Sequence, residues 1–90
     1  MLKLDVKHRV AKFVRRLPPK HQRQVSQKIL ELCRGPMPPD SEHLTGFPYR
    51  RASIGEYRII YRVEEETLRI PLIHKRNDDE VYKRLKRMGG

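Results

Sequence analysis

The clearest indication of the fold is residues 55–63, Gly55-Glu56-Tyr57-Arg58-Ile59-Ile60-Tyr61-Arg62-Val63. From Tyr57 onward it is rich in aromatic and β-branched residues, which favour a strand, and arginines recur within it at positions 58 and 62. Gly55 and Glu56 suit the turn that would begin such a strand. The stretch therefore predicts a strand over Tyr57–Val63 that starts directly after a tight turn.

Two similar runs flank this strand. Tyr49–Ile54 precedes the first turn, and Thr67–His74 follows a second turn at Glu64–Glu66, so three antiparallel strands are expected in succession. Pro71 lies inside the last run and has no backbone N–H to donate. It predicts a bulge, or a ladder with hydrogen bonds on one side only.

The N-terminal part of the chain changes its apolar period from two residues to about 3.6. Leu2, Leu4 and Val6 alternate with polar residues, as in a half-buried strand. Apolar residues then fall on one face of each of two helices, which Pro18-Pro19 separates and Gly35-Pro36 ends. These residues are Val10, Phe13, Val14 and Leu17 in the first helix and Val25, Ile29, Leu32 and Cys33 in the second. The pattern predicts an N-terminal helical hairpin.

The remaining segments are a proline-rich loop and a short C-terminal helix. Residues 35–48 are the expected loop, with Leu44 as its apolar anchor. Asp78 is the expected cap of the helix, with Asp79 and Glu80 in its first turn. The apolar stripe of this helix is expected to be Val81, Leu85 and Met88. The predicted architecture is one α+β domain over residues 1–90, a mostly antiparallel four-stranded sheet with its helices on one face.

Composition excludes several classes of protein. Hydrophobic residues make up 37% of the chain, and its longest apolar runs have the length of a strand, so no membrane span is expected. The first residues alternate charged and apolar types and lack the continuous apolar segment of a signal peptide, which predicts a cytoplasmic location. Cys33 has no second cysteine to pair with and is expected to be a buried thiol.

Positive charge is the strongest compositional signal. The net charge is +10, and ten basic residues against two acidic ones lie between Met1 and Arg34. Such a charge attracts polyanions, which indicates a nucleic acid as partner. The alternative is a basic surface that serves solubility alone. An anionic membrane fits less well, because the basic helices lack an exposed aromatic face.

The residues with catalytic potential lie in the strands and after them. The sequence contains no glycine-rich phosphate loop, no His/Cys metal pattern and no serine nucleophile motif, so no metal and no cofactor are expected. RNA cleavage without a metal requires a base that takes the 2′-OH proton, a cation that stabilises the phosphorane, and protonation of the 5′-oxygen as it leaves. Arginine suits phosphate oxygens, and tyrosine offers a hydroxyl and a ring for stacking. The candidates are Arg50, Arg58, His74, Arg76 and Tyr82.

A purely structural interpretation of these residues is also open. Arg58 and Arg62 can form the solvated side of a half-buried strand, with Tyr57 and Tyr61 in the core. Tyr82 can be a packing residue at a helix start. Spacing alone does not decide between structure and catalysis.

The combination of several short motifs resembles the RelE/ParE superfamily of toxins. The motifs are Leu44-Thr45-Gly46, Tyr49-Arg50, Gly55-Glu56-Tyr57-Arg58-Ile59-Ile60-Tyr61 and Lys75-Arg76-Asn77-Asp78-Asp79-Glu80-Val81-Tyr82. The break at Leu17-Pro18 between two basic helices is typical as well. The resemblance covers essentially the whole chain in order, and no single motif is specific.

The resemblance implies a microbial-RNase-like sheet and, among RelE-like members, an endoribonuclease that cuts mRNA codons in the ribosomal A site. By position, Arg58 would stabilise the phosphate in the transition state and Arg76 would act on the leaving oxygen or the same phosphate. Tyr82 would orient the 2′-OH or stack on the substrate. RNA or phosphate contacts are expected from Arg50, Arg51 and Lys75.

The general base is where the sequence departs from RelE. The second of two strand lysines in RelE aligns near Ala52, and neither Ala52 nor its neighbours Arg51 and Ser53 is a suitable base. Histidine as a residue type has an unperturbed pKa near 6.5, which suits proton transfer at neutral pH, and His74 is the only nearby group of this kind. The hypothesis is that His74 or Tyr82 takes this role.

Two other functions stay open at this point. A ParE-like toxin would inhibit DNA gyrase without cutting RNA, although ParE members commonly lack the full set formed by Arg58, Arg76 and Tyr82. A basic binding module without activity is the third interpretation.

The expected partners follow from charge and from the resemblance. An acidic, RelB-like antitoxin would neutralise the domain, and in this family it can displace or cover the C-terminal helix. The ribosome and mRNA are the other expected partners. Six basic residues of the two N-terminal helices are expected to dock on ribosomal RNA: Arg9, Lys12, Arg15, Arg16, Lys20 and Arg23.

Overall fold

The computed structural model describes residues 1–77 and 81–87 and, within the last helix, the side chains of Lys83, Leu85, Lys86 and Arg87. The elements in chain order are β1 (Lys3–Val6), α1 (His8–Arg15), α2 (Pro19–Arg34), β2 (Ser41–His43), β3 (Arg50–Ile54), β4 (Tyr57–Glu64), β5 (Thr67–Lys75) and α3 (Val81–Arg87). The predicted α+β fold with an N-terminal helical hairpin and a short C-terminal helix is confirmed. The expected cap at Asp78, the acidic first turn at Asp79 and Glu80, and Met88 lie outside the described residues.

The sheet has five strands in the order β1-β5-β4-β3-β2, one more than predicted. The additional strand, β2, lies inside the predicted loop and pairs antiparallel with β3. Ser41-Glu42-His43 has no apolar alternation, so only its pairing with β3 makes it a strand. β1 pairs parallel with β5, and the other neighbouring strands are antiparallel.

Pro71 lies in a β-bulge, as the sequence predicts. Ile60 pairs with Leu72 and Arg62 pairs with Arg69, so two residues of β5 lie opposite the single residue Tyr61. The pairing of β1 with β5 ends at Ile70. Because β5 has only β4 as a neighbour beyond this point, the missing N–H of Pro71 leaves no ladder bond unmade on the β1 side.

The two N-terminal helices cover one side of the sheet, here called the hairpin face. Tyr57, Ile59 and Tyr61 of β4 are buried on this face, which confirms the two tyrosines as core residues. Val10, Val25 and Leu32 of the helices pack into the same core. Cys33 is buried here as predicted, and this burial raises the pKa of its thiol.

The opposite side, here called the α3 face, has its own smaller apolar cluster. Leu85 of α3 is fully buried with Ile60 and Leu72 of the sheet and with Leu44 and Tyr49. Leu44 thus anchors its loop, as expected. The prediction that the helices cover only one face is wrong, because residues 60 and 72 are apolar on the side that α1 and α2 leave open.

No helix among the described residues has the length and apolarity that crossing a bilayer requires.

Candidate active site

Three side chains form a row across the α3 face. The register places Ser53 of β3 directly opposite Arg58 of β4, and Arg58 directly opposite His74 of β5. Residues opposite each other in neighbouring strands lie on the same side of the sheet, with Cβ atoms roughly 4.5–5.5 Å apart. A hydroxyl, a guanidinium and an imidazole are therefore adjacent, and we call these residues the central row.

Arg58 differs from the other arginines of the strands in its partners. Within residues 1–77 and 81–87, its half-buried side chain forms no ion pair and no hydrogen bond. The other strand arginines each contact a neighbour: Arg50 contacts Ser41, Arg51 contacts Glu42, Arg62 contacts Glu64 and Arg69 contacts Asp5. The planar fork of Arg58 can therefore accept a phosphate without breaking an existing contact.

His74 is held in one orientation by the backbone. Its side chain is only 4% exposed, and its Nδ1 lies 2.6 Å from the carbonyl oxygen of Lys75. Because a carbonyl oxygen can only accept, Nδ1 must carry the proton in this hydrogen bond. In neutral His74 the lone pair is therefore on Nε2, which is the tautomer that a base acting through Nε2 requires.

Arg76 lies just beyond the end of β5 and is exposed. Its backbone N–H donates to the carbonyl oxygen of Glu56 over 2.8 Å, which fixes it beside the β3–β4 turn. This bond continues the β4–β5 ladder by one position, so Arg76 is on the same side as His74, two residues earlier. Lys75 is exposed and pairs with Tyr57, on the side of the hairpin face.

The register separates Arg50 from the central row. Arg50 pairs with Tyr61, which belongs to the hairpin face, and donates through Nη2 to the Ser41 hydroxyl over 2.9 Å. Arg51 pairs with Ile60 on the α3 face, two residues from Ser53, and forms an ion pair with Glu42. Of the predicted phosphate-binding pair, the structure brings Arg51 and not Arg50 to the side of Arg58.

Tyr82 lies in the first turn of α3, and its side chain is outside the described residues. The helix itself is placed by Leu85, which packs against Ile60 and Leu72. These two residues pair with each other two positions along the strands from Arg58 and His74. The helix that carries Tyr82 is thus docked next to the central row, and the role of Tyr82 stays a prediction.

The six basic residues predicted to dock on ribosomal RNA are all exposed, on α1, the turn after it and the start of α2: Arg9, Lys12, Arg15, Arg16, Lys20 and Arg23. Because these helices cover the hairpin face, most of this charge is on the other side of the sheet from Arg58. The structure does not bring the docking set and the central row together.

Ser53 is the site residue that sequence reasoning missed. The sequence contains the information that places it, because a two-residue turn at Gly55-Glu56 makes positions 53 and 58 equidistant from the turn. Such positions pair across a hairpin. The half-buried Ser53 hydroxyl can donate to a phosphate oxygen held by Arg58.

Comparison with known proteins agrees with this architecture. Residues 5–80 match the family model described as ParE toxin of the type II toxin–antitoxin system parDE. No curated protein sequence matches the chain significantly.

Solved toxin structures share the fold. The toxin in an archaeal RelE–RelB complex from Pyrococcus horikoshii superposes with a TM-score of 0.76 at 26% identity, over 86% of this chain and 97% of that one. The isolated RelE toxin of E. coli gives a TM-score of 0.74 at 24% identity, over 98% and 99% of the two chains. The toxin–antitoxin complex RelBE2 of Mycobacterium tuberculosis gives 0.71 at 22% identity, over 83% and 98%.

The family match spans most of the chain, and the structural matches cover 86% and 98% of it. This chain belongs to the ParE toxin family of type II toxin–antitoxin systems, within the RelE/ParE superfamily, and has the fold of the RelE toxins.

Proposed function

We propose that this toxin is a ribosome-dependent endoribonuclease that cuts the mRNA codon in the ribosomal A site. The observation that supports this function is the central row, in which Arg58 has no partner among the described residues and lies between Ser53 and His74. A cation, a hydroxyl and a buried imidazole on one side of the sheet match the needs of a 2′-OH attack on phosphorus.

The proposed reaction divides the work among these residues. A base, His74 or Tyr82, removes the 2′-OH proton, and the oxygen attacks phosphorus while the bond to the 5′-oxygen breaks. Arg58 stabilises the charge of the phosphorane, and Arg76 stabilises the charge that develops on the leaving 5′-oxygen, which takes a proton from water as it departs. The products are a 2′,3′-cyclic phosphate and a 5′-hydroxyl end.

RNA contacts around the row would come from the neighbouring cations. Arg51 is on the α3 face and is the better placed backbone contact. Arg50 and Lys75 are on the side of the hairpin face. Arg50 would contact the RNA only if the RNA strand passes around the edge of the sheet, and Lys75 only if the strand passes the end of β5. Ribosomal RNA would hold the exposed basic surface of α1 and α2.

An acidic antitoxin is the proposed physiological inhibitor. Two of the three solved structures described above are toxin–antitoxin complexes, and the net charge of +10 favours an acidic, RelB-like partner that folds on the toxin. Toxin, antitoxin and ribosome would meet in the cytoplasm.

Inhibition of DNA gyrase without RNA cutting is the second candidate function. The family match favours it, because the matching model describes ParE toxins. A cation without a partner at the centre of a sheet face has no evident use in that function, whereas phosphoryl chemistry requires one.

Two assays separate these functions. In a translating extract, primer extension should reveal cuts at discrete codons of an mRNA when the toxin is added, and none on the same mRNA without ribosomes. Gyrase supercoiling should be unchanged at the same toxin concentration. Inhibited supercoiling without RNA cuts would instead identify a gyrase poison and contradict the ribonuclease.

A substitution of His74 tests its role as the base. We expect His74→Gln to lower the cleavage rate at saturating ribosomes by roughly a hundredfold, because glutamine can donate to the Lys75 carbonyl but cannot accept a proton. His43→Gln, on exposed β2, should leave the rate unchanged. If His74→Gln cuts as fast as His43→Gln over the neutral pH range, His74 is not the base.

A further inference from the structure

A groove opens on the α3 face at the far end of the strand that carries Arg58. It has a volume of about 500 Å³, within the range of ligand sites, and is lined by residues of β1, β4, β5 and the start of α1 together with Tyr49. We call it the bulge groove, because Ile70 and Pro71 of the β-bulge line it. Arg62 follows Arg58 by four residues, about 13 Å along an extended strand, so the groove is separate from the central row.

One wall of the bulge groove is a cation–aromatic pair. The guanidinium carbon of Arg62 lies 5.6 Å from the ring centroid of Tyr49. Arg62 also forms an ion pair of 2.8 Å with Glu64, which holds the guanidinium in place. Tyr49 is itself buried, whereas Arg62 is partly exposed. A planar cation that is supported by a ring on one side can offer its other side for a nucleobase to stack on.

The other wall supplies hydrogen-bond acceptors. Arg69 bonds Asp5 through Nη1 at 2.5 Å, and its Nε lies 3.7 Å from Glu64. A carboxylate has about four acceptor positions, so the single contact of Asp5 and the two contacts of Glu64 leave acceptor capacity on both. Carboxylate oxygens suit the amino groups of adenine, cytosine or guanine, and uracil has no amino group.

The rim of the groove suits a phosphate. Lys7, which is exposed, lines the groove at the start of α1. Its side chain makes no capping bond, and no acidic residue lies in the first turn of α1. The first amides of α1 and the positive end of its dipole therefore add to the charge of Lys7 and Arg9.

We propose that the bulge groove binds one nucleotide of an RNA strand, with its base on the guanidinium of Arg62 and its phosphate at Lys7 and the start of α1. This proposal rests on the proposed function only in taking RNA as the ligand. An acidic peptide fits less well, because its carboxylates would meet those of Asp5 and Glu64. The acceptors imply a preference for bases with an amino group over uracil.

Binding of short fluorescent 2′-O-methyl oligonucleotides to the full chain tests this site. These oligonucleotides lack the attacking hydroxyl, so they report affinity without cleavage. We expect Arg62→Gln and Lys7→Gln each to weaken binding of the A and C oligonucleotides by about five- to tenfold. Lys7→Gln should also lower the slope of log K against log salt by about 0.7. The wild-type chain should bind the U oligonucleotide several-fold more weakly.

The control variant is Arg34→Gln, which removes one exposed charge at the end of α2, away from the groove. It should change affinity by no more than about twofold, and circular dichroism should show the same fold for all variants. Equal affinities for Lys7→Gln and Arg34→Gln would overturn the proposal. The proposal would also be overturned if the groove variants bound a poly-glutamate peptide more weakly than the wild type but bound the oligonucleotides equally well. Codon cutting by the wild-type chain would in either case still support the endoribonuclease.

The translating extract distinguishes the source of the RNA. If the groove holds mRNA, Arg62→Gln should change which codons are cut. If it holds ribosomal RNA, the same codons should be cut, but a higher ribosome concentration should be needed. Both results support the groove as an RNA site.

Discussion

Arg58→Ala should reduce codon cleavage by about 10²- to 10³-fold at saturating ribosome concentration. The reason is that Arg58 is the strand arginine with no partner among the described residues, at the centre of the central row. Removing one preorganised donor from a developing oxyanion typically costs this factor. The loss should appear in the cleavage rate constant of the toxin bound to the ribosome, because the negative charge on the phosphate beside Arg58 is largest in the transition state.

Single-turnover primer extension with excess toxin measures this rate. Arg58→Lys should recover only part of it, because an ammonium cannot replace two parallel N–H donors. Arg34→Ala is the matched control, since it also removes one arginine, from an exposed position at the end of α2. An Arg58→Ala toxin that cuts at the wild-type rate once the ribosome concentration is raised would show that Arg58 binds substrate and does not stabilise the transition state.

Much of the fold follows from apolar period and turn residues. The aromatic and β-branched residues after the glycine turn identify β4 and its hairpin, and the change of the apolar period from two to 3.6 residues identifies β1, α1 and α2. Pro71 even locates the bulge, because a residue without an N–H can occupy only a few places in a ladder. Each of these signals is local, so one sequence is sufficient to detect it.

The parts that the sequence did not predict depend on partners far along the chain. Ser41–His43 is a strand only because β3 presents an unpaired edge to it. Ile60 and Leu72 indicate a second apolar face, but nothing local states that α3 returns to cover it.

The side on which each arginine lies is a similar problem. Arg50 and Arg51 are neighbours with the same chemistry, and a shift of one residue exchanges their faces. Position in a motif suggested Arg50, whereas the two-residue turn at Gly55-Glu56 sets the register that places Arg51 on the side of Arg58. The turn is therefore a better guide to the site than the alignment of basic residues.

The docking of α3 rests on one described side chain. Leu85 is fully buried among Leu44, Tyr49, Ile60 and Leu72, while Lys83, Lys86 and Arg87 are exposed. A helix of seven residues is not stable alone in water, so the apolar contact of Leu85 holds it on the sheet. Because Tyr82 is on the same helix, the position of a proposed catalytic residue depends on this contact.

Leu85→Ala should therefore lower stability and activity together. Emptying a closed apolar site of this kind typically costs about 2–5 kcal/mol, with undocking of α3 as the upper limit of the loss. Urea denaturation measures the change in the free energy of unfolding. Hydrogen exchange shows whether the amide hydrogens of α3 exchange before those of β4. Codon cleavage should fall even where the sheet stays folded, because the helix that carries Tyr82 leaves the central row.

Leu30→Ala provides the matched control, because it is the same substitution on a helix at a position that is 49% exposed. It should change the free energy of unfolding by no more than about 0.5 kcal/mol and leave cleavage unchanged. If Leu85→Ala is as stable and as active as Leu30→Ala, then α3 is not held by Leu85. In that case the adjacency of α3 to the central row would no longer support a catalytic role for Tyr82, and His74 would be the better candidate for the base.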